Sequence, residues 1–162
     1  MIAIVAVDKN WGIGKGGEQL LYIPEDLKRF KEFTTGNTII LGRKTMYTFP
    51  GKKPLKNRRN LILSRSADFK PEGAEIFPDL ECLMEQVTDP DNTYVVGGAM
   101  VYNTMIGQCD RAYITKIDAE YPADCWCPNL DEDPAWEVES EGEWLEHEGI
   151  KFRYVNYRRK QD

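Results

Sequence analysis

Asp26 stands in Ile23-Pro24-Glu25-Asp26, just after a proline suited to the first position of a helix. Helical spacing puts Phe30 and Phe33 on its face. A carboxylate held among aromatic rings there could hydrogen-bond a planar heterocycle in two places, and burial would tune its affinity for protons. Glu25 and Asp26 would equally compensate a helix dipole, so the residue types alone leave both readings open.

Anion chemistry is written elsewhere. Gly42-Arg43-Lys44-Thr45 and Val95-Val96-Gly97-Gly98-Ala99 both read as strands passing through glycine into a helix, and Ser64-Arg65-Ser66 follows a further strand. Glycine lets the backbone approach a ligand closely, while exposed N–H groups, hydroxyls and guanidinium forks match phosphate oxygens. Each cluster alone is compatible with a tight turn or a solvated charge. Together they imply a dinucleotide carrying a pyrophosphate and one additional phosphate.

Two other patterns are weaker. Gly12-Ile13-Gly14-Lys15-Gly16-Gly17 formally fits G-x-G-x-x-G, but no helix opens on these glycines, so a mobile loop that could act as a lid is expected instead of a Rossmann turn. Cys125 and Cys127 are one residue apart and His147 is the only histidine, a poor match to zinc-ligand spacing. No metal is expected, and Cys82, Cys109, Cys125 and Cys127 should be reduced thiols.

The net charge of −6 disfavours general nucleic-acid binding. It hides an asymmetry: nine Lys/Arg against one acid from Arg43 to Lys70, then twelve acids and no Lys/Arg from Asp118 to Glu148. The middle of the chain could therefore hold an anion.

These residues need a scaffold. The 162 residues suit a single domain spanning 1–162, with no linker or repeat dividing it. Apolar β-rich runs recur at Ile2–Val7, Thr38–Leu41, Asn60–Leu63, Thr93–Val96 and Arg111–Ile117, with a later pair at Trp136–Glu139 and Lys151–Tyr157. Helices are predicted at Glu25–Phe33, Lys44–Thr48, Leu80–Val87 and Ala99–Ile106. Alternating strands and helices indicate an α/β fold with a mostly parallel sheet, and the late pair an antiparallel edge. Met1–Val7 is apolar but runs straight into Asp8 and Lys9, which reads as a buried strand and not a secretory signal. No window approaches the roughly 20 apolar residues of a membrane helix. A cytoplasmic monomer is the expectation.

The blocks Ile4-Val5-Ala6-Val7, Gly12-Ile13-Gly14-Lys15, Ile23-Pro24-Glu25-Asp26-Leu27-Lys28-Arg29-Phe30, Gly42-Arg43-Lys44-Thr45, Leu63-Ser64, Val95 to Tyr102 and Thr115 to Glu120 resemble dihydrofolate reductases in order and spacing. The resemblance implies that family's eight-stranded, mostly parallel sheet with an antiparallel C-terminal edge, flanked by helices. It also implies hydride transfer from NADPH to the pterin of 7,8-dihydrofolate, giving tetrahydrofolate, and binding of antifolate inhibitors. Asp26, helped by Thr115, would then hold the pterin and promote protonation of its imine nitrogen through a water, being too distant to donate directly. Ile4, Val5, Leu27, Phe30, Val96 and Tyr102 would supply the apolar walls and backbone carbonyls around the pterin, Phe49 and Leu55 would border the aminobenzoyl ring, and Arg58 would clamp the glutamate carboxylate. For the cofactor, Ala6, Ile13 and Gly14 would meet the nicotinamide. Arg43, Lys44, Thr45, Ser64, Arg65 and the turn Gly97, Gly98, Ala99, Met100, Val101 would hold the phosphates, with Arg43 and Arg65 near the 2′-phosphate.

Two rivals remain at this level. A pyrimidine reductase of flavin synthesis could share the architecture, and Asp26 after Ile23-Pro24 weighs against it; a non-catalytic dinucleotide sensor could keep the Gly97-Gly98 turn, and Asp26, Thr115 and Arg58 together weigh against that. One departure from the resemblance is Gln19-Leu20-Leu21, where the family usually has Leu-Pro-Trp, so the water relay and loop closure are where change is expected. Replacing Leu21→Trp should alter loop kinetics or inhibitor binding while preserving turnover; an unchanged single-turnover rate and inhibitor off-rate would remove that expectation.

Overall fold

The computed structural model describes residues 1–161. Its main sheet is built from β1 (Ile2–Val7), β4 (Thr38–Gly42), β5 (Arg59–Leu63), β6 (Ala74–Phe77), β7 (Thr93–Gly97), β8 (Arg111–Ile117), β10 (Trp136–Glu141), β11 (Leu145–His147) and β12 (Ile150–Arg159). Eight strands lie in the order β10-β12-β8-β1-β7-β4-β5-β6, and β11 pairs with β12 as a ninth. From β8 to β6 neighbours are parallel, whereas β12 runs antiparallel to β8, β10 and β11. The expected antiparallel edge is therefore present, with β12 between β8 and β10. β6 and β11 escaped the sequence reading because Ala-Glu-Ile-Phe and Leu-Glu-His are too short to show a period.

Side chains alternate between the two faces, and the alternation sorts the core. One face carries Ile2, Ile4, Ile39, Leu41, Ile62, Tyr94 and Val96, packed against Phe30 and Phe33 of helix α1 (Pro24–Thr34). The other carries Ala3, Val7, Ile40, Leu61, Val95, Ala112, Ile114, Val155 and Tyr157. Leu83 of α3 (Leu80–Glu85) and Val101, Tyr102 and Met105 of α4 (Ala99–Met105) cover that second face. A fourth helix, α2 (Arg43–Met46), follows β4 directly. Pro24 opens α1 as the sequence indicated, and α1 crosses the sheet with Asp26, Arg29 and Phe33 pointing toward it.

The Gly12–Gly17 segment corrects the sequence reading. In place of a loop, β2 (Gly12–Lys15) pairs with β3 (Glu18–Gln19) and with β9 (Cys125–Trp126) in a small second sheet. Gly16 and Gly17 have φ of +63° and +83°, which makes them the two central residues of a tight hairpin turn with the twist such strands need. Gly14 serves close packing: a Cβ there would lie 2.8 Å from the Glu18 carbonyl oxygen and 3.2 Å from Cys125 Sγ.

Asp8 anchors this appendage to the end of β1. Its carboxylate, 3% exposed, accepts the N–H groups of Gly12 at 2.8 Å, Asn10 at 2.9 Å and Tyr121 at 3.0 Å. Asp8→Ala should leave these N–H groups without their acceptor and destabilise the protein by about 2–3 kcal/mol, seen as a lower urea midpoint with an unchanged slope.

Candidate active site

In an open parallel sheet, ligands bind beyond the carboxyl ends of the strands. Here the order β8-β1-β7-β4-β5 sets Thr115, Ala6, the Gly97-Gly98 turn, Gly42-Arg43 and Ser64-Arg65 side by side. Three strand spacings separate β1 from β5, about 14 Å. That length suits an extended dinucleotide.

The phosphate end is built from close backbone approaches. Gly97 has φ of +124° and faces Tyr102, where a Cβ would meet the ring at 3.4 Å. Gly98, joined to it by a cis peptide, leaves 3.3 Å between a hypothetical Cβ and Thr45 Oγ1, so the two strand-to-helix junctions touch. Arg43, Lys44 and Arg65 form no ion pair among the described residues. Beyond β5, Ser64, Arg65, Ser66, Phe69, Lys70 and Ile76 line a shallow pocket. Hydroxyls, free cations and an apolar floor together fit a phosphorylated nucleoside. Of the turn residues, Met100 is 70% exposed and Val101 is buried in the core, so neither side chain lines the cradle; their backbone does what the turn can do.

At the other end, Asp26 receives a hydrogen bond from Thr115 Oγ1 at 2.5 Å. Thr115 is buried on β8, in register with Ala6 of β1 and Tyr154 of β12. Burial raises the Asp26 carboxyl above its ordinary value of 3.8, opposed by the Thr115 hydrogen bond and the Arg29 charge. Ile4, Phe30, Phe49, Leu55 and Val96 belong to one apolar cluster beside it, and Tyr102 donates its hydroxyl to the Ile4 carbonyl at 2.8 Å. These predicted residues are brought together. Val5 is not among them, because alternation turns its side chain into the opposite core, and Leu27 is on the exposed surface of α1. Ile13 likewise packs on the opposite core. Leu21 fills an apolar position with Ile23, Ile117, Phe152, Ala6 and Tyr154.

Arg58 is pre-aimed: its Nε donates to Thr34 Oγ1 at 3.1 Å and its Nη1 to the Lys56 carbonyl at 2.9 Å, with no carboxylate partner among the described residues. Arg59, by contrast, is spent on a two-pronged bond to Glu75 at 2.7 and 2.9 Å. A further pocket at Asp8, Lys9, Trp11, Lys116, Asp118 and Asp131 is internally satisfied, since Lys9 pairs with Asp118 at 3.3 Å and Lys116 with Asp131 at 2.7 Å. The sequence reading gave no role to Arg29, Tyr154 and Asn156. Arg29 lies 4.0 Å over the Tyr154 ring and donates to Asn156 Oδ1 at 3.3 Å. Its position one turn after Asp26, with Phe33 a turn beyond, was the available signal.

A dinucleotide-length cradle ending at one half-buried carboxylate defines an oxidoreductase that acts on a small planar heterocycle. The family model described as dihydrofolate reductase matches residues 1–159. A dihydrofolate reductase of Mycobacterium tuberculosis is 40% identical over 165 residues, covering 98% of each chain, and one of Bacillus subtilis is 33% identical over 158 residues, covering 97% of this chain and 93% of its own. Among solved structures, the dihydrofolate reductase from Enterococcus faecalis complexed with NADP(H) and RAB-propyl superposes with a TM-score of 0.84 at 31% identity, over 99% of this chain and 96% of that one. The chain belongs to the dihydrofolate reductase family.

The raised Asp26 carboxyl has a consequence for stability. A carboxyl whose folded pKa lies above its unfolded value favours the fold when protonated, and that advantage is lost as pH rises through the folded value. Asp26→Asn keeps an oxygen for Thr115 without the charge. Its melting temperature should exceed wild type at neutral pH, and the difference should shrink as pH falls toward 3.8, as followed by calorimetry.

Proposed function

We propose that this protein reduces 7,8-dihydrofolate to 5,6,7,8-tetrahydrofolate with NADPH, and that Asp26 and Thr115 hold the pterin. The observation that carries the reading is the hydrogen bond from buried Thr115 to half-buried Asp26 at the Ala6 end of the strand-end row. When bound, the dinucleotide supplies a hydride. The protein's part is positioning and charge.

Asp26 presents one carboxylate oxygen to Thr115 and keeps the other for the amino group and ring nitrogen of a pterin. Its negative charge there favours a proton on the imine nitrogen, which solvent would supply. Ile4, Phe30 and Val96 exclude water from the ring face, while the Tyr102 hydroxyl fixes the Ile4 carbonyl at the floor of the site. Phe49 and Leu55 extend the apolar wall toward Arg58, whose fork suits the carboxylate of a glutamate tail. Antifolates would use the same grip on Asp26.

For the cofactor, Ala6 and Gly14 are offered to the nicotinamide, the Gly97-Gly98 turn with Lys44 and Thr45 to the pyrophosphate, and Arg43, Ser64 and Arg65 to the 2′-phosphate. Val5 and Ile13, whose side chains pack on the opposite core, would serve through their backbone, and Leu27, next to Asp26 on α1 and 36% exposed, is available to the pterin. No helix among the described residues is long and apolar enough to cross a membrane. A cytoplasmic monomer is part of the proposal, and sedimentation at the monomer mass is its check.

Loss of NADPH absorbance with 7,8-dihydrofolate, abolished by methotrexate, is the direct test; tight NADPH binding without turnover would point to the pyrimidine reductase or the sensor. Asp26→Asn should still bind NADPH yet lose about 10²-fold or more in kcat/KM, because an amide cannot balance a protonated pterin. Arg65→Ala should weaken NADPH about tenfold or more while leaving NADH nearly unchanged; equal losses would take Arg65 away from the 2′-phosphate.

A further inference from the structure

Arg29 is an expensive residue to place where it is. It leaves α1 on the side that packs on the sheet, half-buried, and burial lowers its proton affinity from the usual guanidinium value. Three rings enclose it: Tyr154 at 4.0 Å, Phe33 at 5.0 Å and Tyr113 at 5.8 Å from their centroids. Its Nη2 donates to Asn156 Oδ1 at 3.3 Å, a neutral acceptor, and among the described residues it has no carboxylate within ion-pair reach. A guanidinium usually takes a bidentate carboxylate when one is at hand. This one is held by rings and an amide, and its charge is left uncompensated by direct contact.

The acid that faces it is Asp26, one helical turn back, where side chains at this spacing are neighbours. Their fields are felt reciprocally: Arg29 lowers the Asp26 carboxyl and Asp26 raises the guanidinium. The other groups around Asp26 are Thr115 from β8, Tyr154 from β12 and Tyr102 from α4, all neutral at physiological pH, since burial pushes the Tyr154 phenol up to about 12 and the Tyr102 phenol well above its ordinary value. Glu25 and Glu32, on the same helix, are exposed. Among the described residues, Arg29 is thus the cation set against the forces that would protonate Asp26.

We propose that Arg29 is a positioning residue of the pterin site, clamped by Tyr154, Phe33 and Asn156 so that its charge holds Asp26 as a carboxylate to lower pH than its enclosed position alone would allow, and thereby sets the acid limit of the reductase. The proposal deepens the assignment of Asp26 as the pterin-holding acid. It assigns Arg29 no contact with substrate; it acts through Asp26. The rings serve it twice, by favouring the cation over their faces and by denying it a competing carboxylate.

The test is a carboxyl titration of ligand-free protein carrying 13C at the aspartate Cγ, with the Asp26 resonance identified by its absence in Asp26→Asn. In Arg29→Met, which keeps an apolar stem and loses the charge, the Asp26 midpoint should rise by about one pH unit, a tenfold gain in proton affinity. Arg29→Lys should restore most of the difference. Asn156→Asp offers Arg29 a carboxylate of its own and should raise the midpoint as well, without removing any packing on α1. In parallel, the kcat/KM deficit of Arg29→Met should be large at acid pH and vanish at alkaline pH, where Asp26 is ionised in both proteins. An unchanged Asp26 midpoint in Arg29→Met, or in Asn156→Asp should the first variant fail to fold, overturns the proposal; so does a kcat/KM deficit that is the same at every pH. Because the titration needs no turnover, absence of dihydrofolate reduction would count against the substrate assignment and leave the Arg29 result standing.

Discussion

The hydrogen bond from Thr115 to Asp26 imposes the geometry of the rest. A carboxylate has to lie against the face of a sheet, away from bulk water, and still be available as a charge. That requires a helix crossing the sheet at the one place where a strand offers a hydroxyl and not a hydrocarbon. Pro24 starts the helix there, Phe30 and Phe33 fasten it to Ile4, Val96 and Tyr113, and Asp26 is left in the first turn over Thr115. Desolvation works against the ionised form, so the structure needs compensation close by.

The two faces of the sheet divide the labour. The face toward α1 is mixed, with tyrosines, a threonine and an asparagine among the aliphatics, and it carries the site. The opposite face is apolar and closely covered by α3 and α4, with Ile40, Leu61, Val95 and Ile114 fully buried. Its closed packing gives the strand ends a fixed spacing, on which a ligand spanning β1 to β5 depends. Arg59, locked to Glu75, braces the β5–β6 edge, which leaves Arg58 beside it for recognition.

Much of this was legible in the sequence. Long apolar strands announced themselves because burial on both faces demands uninterrupted hydrocarbon, and Asp26, Thr115 and the glycine turns lie where the family resemblance put them. The misses have a common cause: they depend on pairing at long range. β2 reads as a loop because four residues rich in glycine carry no period; its partners are the two-residue β3 across a tight turn and Cys125 and Trp126, more than a hundred residues away. Lys28-Arg29 reads as a solvated basic pair on a helix. That Arg29 turns inward is decided by Tyr154 and Asn156, which no local pattern connects to it. The resemblance names Val5 as a position, whereas the pleat decides which face its side chain takes; with that side chain on the opposite core, a part beside the pterin would fall to the Val5 backbone.

Strand β12 has an implication for how the protein comes into being. It is the last in chain order of the described strands, yet it sits between β8 and β10 and delivers Tyr154 and Asn156 to the guanidinium beside Asp26. A chain emerging from the ribosome would have β1, β8 and the catalytic helix in hand before this strand was synthesised. Such an intermediate would expose the open edge of β8, which calls for chaperone protection, and would leave Arg29 in water. Competence to bind ligand would then arrive abruptly, at the moment translation delivers residues 150–159.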